Sequence, residues 1–312
     1  MFRHFTVAEA KLSTLEGRIA ARKWAKSGPE VWVFDRDIRE SELKDRTDIQ
    51  KVVLTAGVKT IGEGAFDGCT GLTSVTFPQG LTSIGKDAFG GCRGLTSVTL
   101  PQGLESLGEG AFDGCTGLTS VTLPQGLQSI GKAAFYRCTG LTSVTLPQGL
   151  ESIGDYAFWW CTNLTSVILP QGLQSIGKQA FRRCRGLTSV TLPQGLQSIG
   201  SYAFSRCVGL TSVTLSQGLE RIGYGAFKEC TGLTSVTFPQ GLQSIGDAAF
   251  SGCTGLTSVI LPQGLTSIGG GAFWGCTGLH VYCSDDARTK LLKDNISADR
   301  IHTEVHTCLS TY

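Results

Sequence analysis

The sequence is poor in the features that usually announce a function. Of 312 residues one is methionine, four are histidine, and 17 % are charged. Lys and Arg number 27 against 25 Asp and Glu, and a net charge of +2 is too small to direct the chain to nucleic acid or to an anionic membrane. No apolar run approaches the ~18–20 residues of a membrane span. Arg3, His4 and Lys11 are followed by no apolar stretch, so no secretory signal is expected. Nothing resembles an activated nucleophile, because His4, His280, His302 and His306 have no serine beside them in a recognisable flanking motif. Gly-rich phosphate loops are lacking too. Neither enzymatic activity nor a cofactor is expected.

What is abundant is glycine, 42 residues, and cysteine, 12 residues. The cysteines explain themselves by their spacing. Ten of them, from Cys69 to Cys276, follow one another every 23 residues. A fixed period in the range of about 20–50 residues marks a solenoid. Ten units run from Ile49 to Gly278, each close to L-T-S-V-T-L-P-Q-G-L-x-S-I-G-x-x-A-F-x-x-C-x-G.

Each slot in a unit has a physical meaning. In the unit Leu118–Gly140, Leu118, Val121 and Leu123 alternate with Ser120 and Thr122, the pattern of a strand with one buried face. Pro124 ends that strand by removing a ladder donor, and Gly126 permits a turn at positive φ. Leu127 and Ile130 return to the core. Ala134, Phe135 and Cys138 are spaced for a short helical turn with a small residue, a ring and a thiol inward. No unit can bury this face alone, so neighbours must stack, with strands about 4.8 Å apart.

These residues resemble the leucine-rich repeat superfamily, although the asparagine of its core pattern is missing. The continuation P-x-x-L-x-x-I-G-x-x-A-F-x-x-C resembles the BspA-like class of surface repeats. The resemblance implies a right-handed leucine-rich repeat solenoid with a parallel β-sheet on one face and short strands or helical turns on the other. It also implies an adhesive or protein-binding, non-enzymatic role, often outside the cell.

The flanks read as caps, giving an expected division into residues 1–48, 49–278 and 279–312. Thr6-Val7-Ala8-Glu9 forms a capping box, and Leu12, Leu15 and Ile19 give an apolar stripe, so an α-helical N-terminal cap ending before Gly28-Pro29 is expected. Arg18, Arg22 and Lys26 would share one solvated face of that helix. Ile38, Leu43 and Arg46 stand where the repeat has Ile, Phe and Cys, making residues 31–48 a degenerate unit with a strand at Val31–Phe34. Beyond the array, Leu279–Cys283 can add a strand, Ser284 can cap a helix through Leu291 and Leu292, and Ile301–Val305 can return as an extended segment.

Three other features are candidates for chemistry. The cysteine ladder reads as buried core thiols, since stacked side chains point in parallel and a linear row offers no tetrahedral site. Free thiols fit a reducing compartment, and Cys283 and Cys308 lie off the period. His302, Glu304, His306 and Cys308 would share one face of a strand, a weak zinc or nickel ligand set. Ser97/Thr99, Ser120/Thr122, Ser143/Thr145 and Ser189/Thr191 make a hydroxyl ladder that a glycan or ice could read, interrupted at Ile168 and Ile260.

The strongest contrast lies between units. The slots after I-G and around A-F vary, and at mid-array they become large: Tyr136, Arg137, Tyr156, Trp159, Trp160, Arg182, Arg183, Arg185, Tyr202 and Arg206. Trp, Tyr and Arg dominate binding hot spots. This set predicts an exposed edge that engages a protein partner, and so a scaffold or adhesin.

Overall fold

A computed structural model describes residues 22–24, 31–293 and 296–303. Each 23-residue unit forms one turn of a solenoid, and neighbouring turns pair in parallel through two ladders. The first is built from three-residue Ser-Val-Thr strands, in which the valine is buried and the flanking hydroxyls are exposed, as in Ser120–Thr122 and Ser143–Thr145. The second is built from two-residue strands such as Ser129–Ile130 and Ser152–Ile153. Register is one unit per step. Val121 pairs with Val144 and Val144 with Val167, while Ile130 pairs with Ile153. Equal residues therefore stack on equal residues, which is why the repeat keeps its core slots constant.

On the third side the expected helical turn is replaced by a tighter path. The Phe N–H bonds to the alanine carbonyl of the following unit, Phe135 to Ala157 at 2.8 Å and Phe158 to Ala180 at 2.7 Å. A helix would have spent those donors within its own segment. Here the backbone uses them to join turns.

The rings between Phe66 and Phe273 form one continuous column with neighbouring centroids 5.0–5.6 Å apart. Burying each ring contributes roughly 1.5–3 kcal/mol. Each repeat cysteine is buried and donates its thiol hydrogen to a carbonyl of the preceding unit, Cys138 to Phe112 at 3.1 Å and Cys161 to Phe135 at 3.2 Å. Burial pushes the thiols of Cys69 and Cys276 up to about 11 and those between them higher.

The N-terminal end differs from expectation. Thr6–Glu9, Leu12, Leu15, Ile19, Arg18 and Lys26 lie outside the described residues, but Arg22–Trp24 is a strand, antiparallel to Val31–Phe34. A helix through Arg22 is therefore excluded. The first strand of a parallel stack has an open edge, and Arg22–Trp24 covers the unpaired N–H and C=O groups of Val31–Phe34. Val31–Phe34 pairs in parallel with Lys51–Leu54, and Ile38 bridges to Ile61. Leu43 takes the Phe slot as expected. It is buried, its N–H bonds to the Ala65 carbonyl, and its own carbonyl accepts from the Cys69 thiol. Arg46, in the Cys slot, sits 4.9 Å from the Trp32 ring instead.

At the other end His280–Tyr282 continues the first ladder and a helix runs from Asp285 to Lys293. Ile301–His302 then returns as the last parallel strand. Among the described residues no helix is long and apolar enough to cross a membrane.

Candidate functional site

The Gly-x-x-Ala-Phe-x-x-Cys segment places two residues per turn in the left-handed region, the one before Ala and the one before Cys. That conformation aims each N–H at the next turn. Tyr156 donates to the Lys178 carbonyl at 2.8 Å, Trp160 to Arg182 at 2.9 Å, and Arg183 to Ser205 at 2.8 Å. Glycine adopts it freely, whereas a side chain costs about 1–2 kcal/mol. In the first three units these slots are Gly64, Gly68, Gly91, Gly110 and Gly114, with Asp87 the exception. In units four to seven none is glycine: φ is 57° at Arg137, 63° at Trp160, 64° at Arg183 and 61° at Arg206. Tyr156 and Tyr202 are left-handed as well.

These slots and their neighbours project one connected cluster. The Tyr136 ring stacks on Trp159 with centroids 4.5 Å apart and planes 11° apart. Trp159 meets Trp160 edge to face at 4.9 Å. The Arg183 guanidinium lies 4.6 Å from the Trp160 ring, and Arg137 reaches the Tyr136, Trp159 and Trp160 rings at 5.4–5.8 Å. Beside this set Arg182 covers the Tyr202 ring at 5.3 Å and Tyr202 meets Tyr224 at 4.9 Å. A hydrogen bond donated to the Tyr224 side chain raises the Tyr202 hydroxyl above its ordinary value.

The cluster is assembled at a cost. The Trp159 Nε1, Arg182 Nε and Arg183 Nε hydrogens are buried without acceptors. Burial, followed by the nearby charges of Arg206, Arg182 and Arg185, holds the Arg183 guanidinium below its ordinary value. No carboxylate lies within 4 Å of Arg137, Arg182, Arg183 or Arg185 among the described residues; Arg206 is paired to Glu229 at 2.9 Å.

The ten anticipated residues thus fall on one side of the solenoid but are not equivalent. Tyr136, Arg137, Trp159, Trp160 and Arg183 interlock. Tyr156 is linked to Arg182 through Gln179, whose amide donates to the Tyr156 hydroxyl at 3.4 Å and whose carbonyl accepts from Arg182 at 2.7 Å. Arg185 is exposed and acts on the cluster by charge. The expectation that Trp159 and Trp160 are exposed is corrected. Both are half-buried, because Tyr136, Arg137 and Arg183 cover them. Tyr224, Gln179 and Glu229 belong to the site and were not anticipated. For Gln179 and Glu229 the signal available in the sequence is the change from glycine to a large residue in the same two slots; Tyr224, one position before its unit's left-handed Gly225, carries no such signal.

Other candidate sites are less developed. The Ser/Thr hydroxyls beside each buried valine are exposed and in register, and Ile168 breaks that face with 78 % of its surface exposed. His280 and His302 lie side by side with Nδ1 and Nε2 3.1 Å apart. Glu304, His306 and Cys308 fall outside the described residues, and no group of three metal-binding side chains occurs among those described. Cys283 is buried and free. A groove of about 500 Å³ near Glu151, Ser152 and Gln197 holds neither imidazole nor thiol.

Residues 36–165 and 151–280 match the model of the BspA type leucine rich repeat region, which has six copies. A leucine-rich repeat protein from Bacteroides ovatus is 22 % identical and superposes with a TM-score of 0.50, covering 94 % of this chain and 100 % of its own. A leucine rich cell surface protein from Faecalibacterium prausnitzii is 26 % identical with a TM-score of 0.51, over 87 % of this chain and 83 % of its own. The leucine rich repeat protein of T. pallidum is 34 % identical with a TM-score of 0.51, over 59 % of this chain and 86 % of its own. No curated protein matches significantly. The 23-residue register, the paired parallel ladders and the family match agree: the chain belongs to the BspA-type leucine-rich repeat family.

Proposed function

We propose that the chain is a non-catalytic interaction protein, a scaffold or adhesin, that binds a protein partner through the Trp/Tyr/Arg platform of units four to seven. One observation carries this reading. Large side chains occupy left-handed slots that neighbouring units fill with glycine. Stability alone favours glycine there. Elsewhere in the array a side chain takes such a slot only singly, at Asp87, Glu229 and Ala248, so strain concentrated in units four to seven points to use. Aromatic and arginine side chains held in place also lose little entropy on binding. The cell-surface assignment of the F. prausnitzii relative is consistent with an adhesive role.

A pull-down with the wild-type chain and with a Trp159→Ala/Trp160→Ala/Arg183→Ala variant tests the reading. Loss of a specifically captured protein is expected, with the unfolding midpoint of the variant measured alongside. Unaltered capture would reject it.

The in-register hydroxyl face supports a second reading, recognition of a glycan or of ice. A glycan array and a thermal-hysteresis assay test it, with Thr122→Val and Thr145→Val as the variants expected to lose the signal.

A further inference from the structure

The chemistry of the platform narrows the partner. We infer that units four to seven bind an extended acidic segment of a polypeptide, through guanidinium–carboxylate pairs made by Arg137, Arg182, Arg183 and Arg185. This rests on the platform being the binding surface.

The ring faces argue first. Tyr136 stacks on Trp159, and Arg183 covers Trp160. Sugars and bases dock on aromatic side chains by stacking on an open face. Here the faces are engaged within the cluster, and the rings act as supports that hold guanidiniums. What the platform offers outward is N–H donors in the planar fork that matches a carboxylate.

Charge argues second. The four arginines lack carboxylate partners within 4 Å among the described residues, and Arg182, Arg183 and Arg185 lie close enough to oppose one another. Bound carboxylates would relieve that repulsion.

The boundaries argue third. In the corresponding slots Asp113 precedes the platform and Asp247 follows it with no cation within 4 Å among the described residues, while Asp67, Asp87, Glu109 and Glu229 are paired to Lys44, Lys86, Lys132 and Arg206. A uniformly anionic polymer, such as a nucleic acid or a sulfated glycan, would run from the arginines onto carboxylates in either direction along the axis. A short acidic stretch stops where the platform stops. Phe135 and Phe204, the core rings of units four and seven, are separated by three steps of 5.2–5.4 Å. That is the length of about five extended residues at ~3.3 Å each.

Fluorescence anisotropy of a labelled peptide with five consecutive glutamates, titrated with the full chain, tests the inference. Binding is expected, lost when the glutamates are replaced by glutamine and weakened by added salt. Arg182→Ala and Arg183→Ala are each expected to weaken it about tenfold, with Arg183→Lys recovering only part because it cannot bond bidentately. Urea midpoints establish that the variants remain folded. Equal binding of the glutamine peptide, or indifference to both arginine substitutions, overturns the inference. So does tighter binding of a heparin oligosaccharide or a single-stranded oligonucleotide, or self-association through this face detected by sedimentation. Should protein capture depend on Trp159, Trp160 and Arg183 while the acidic peptide neither binds nor competes, the acidic class fails and the platform stands. Capture that ignores those residues removes the platform itself.

Discussion

Arg183 lies 4.6 Å from the ring of Trp160, and both residues have left-handed backbones, with φ of 64° and 63°. The two occupy the same slot in consecutive units, so their N–H groups make equivalent bonds to the next turn, 2.8 and 2.9 Å long. Their contact is a consequence of the repeat. A slot chosen for its backbone geometry delivers two side chains, one unit apart, onto each other.

This relationship separates side-chain from backbone energetics. Arg183→Ala and Arg183→Gly both remove the guanidinium, but only glycine relieves the left-handed conformation. The glycine variant is expected to be more stable than the alanine variant by about 1 kcal/mol. Urea unfolding midpoints measure the difference, and an alanine variant as stable as the glycine one would contradict it.

Asp113 provides a pH test. Burial, with a contribution from Asp87, raises its carboxyl to about 6 from an ordinary 3.8. A raised carboxyl stabilises the fold while protonated, so its contribution is complete below about 4 and lost as pH rises through 6. At about 1.4 kcal/mol per unit the loss is at most ~3 kcal/mol. Asp113→Asn is expected to raise the melting temperature at pH 7 and to flatten its dependence between pH 4 and 6. A variant whose curve parallels the wild type would rule this out.

The thiol column makes the opposite end of the pH scale informative. Ordinary thiols ionise near 9.0, while Cys69 and Cys276 are raised to about 11 and the cysteines between them further. Folded-state values above unfolded ones mean that stability is full below about 9 and falls as pH rises, each thiol contributing up to ~1.4 kcal/mol per pH unit. Steep alkaline unfolding is expected, together with thiols that react with Ellman's reagent only on unfolding. Rapid labelling of several thiols in the native protein at pH 8 would refute it.

Most of the fold is legible in the sequence because the repeat prints its own core. Val121, Ile130, Phe135 and Cys138 are identifiable by comparing units, and Leu43 is recognisable as a substitute for phenylalanine. The Ala-Phe-x-x-Cys segment has helical spacing but is not a helix, because every second N–H, as at Phe135 and Arg137, bonds to the next turn, which a single unit does not display. The strand at Arg22–Trp24 escaped for a related reason. The need it meets, an open edge at Val31–Phe34, exists only once the array is stacked. Of the site, the arginines and aromatic residues were visible as large residues in variable slots. Which rings are covered, and which arginines lack a counter-charge, depends on contacts between units 23 residues apart.

The bond from each cysteine thiol to a carbonyl of the unit before it bears on how such an array changes over generations. Every interior unit gives its neighbour the same thiol, the same ring face and the same backbone donors, whatever stands in its variable slots. A unit can therefore be duplicated, deleted or moved without the core registering the difference. The platform has no such freedom. Tyr136 meets Trp159, and Trp160 meets Arg183, only while units four, five and six follow one another in that order. Shuffling repeats leaves the solenoid intact and rewrites its recognition surface, so the order of the units is where the specificity of the molecule is stored.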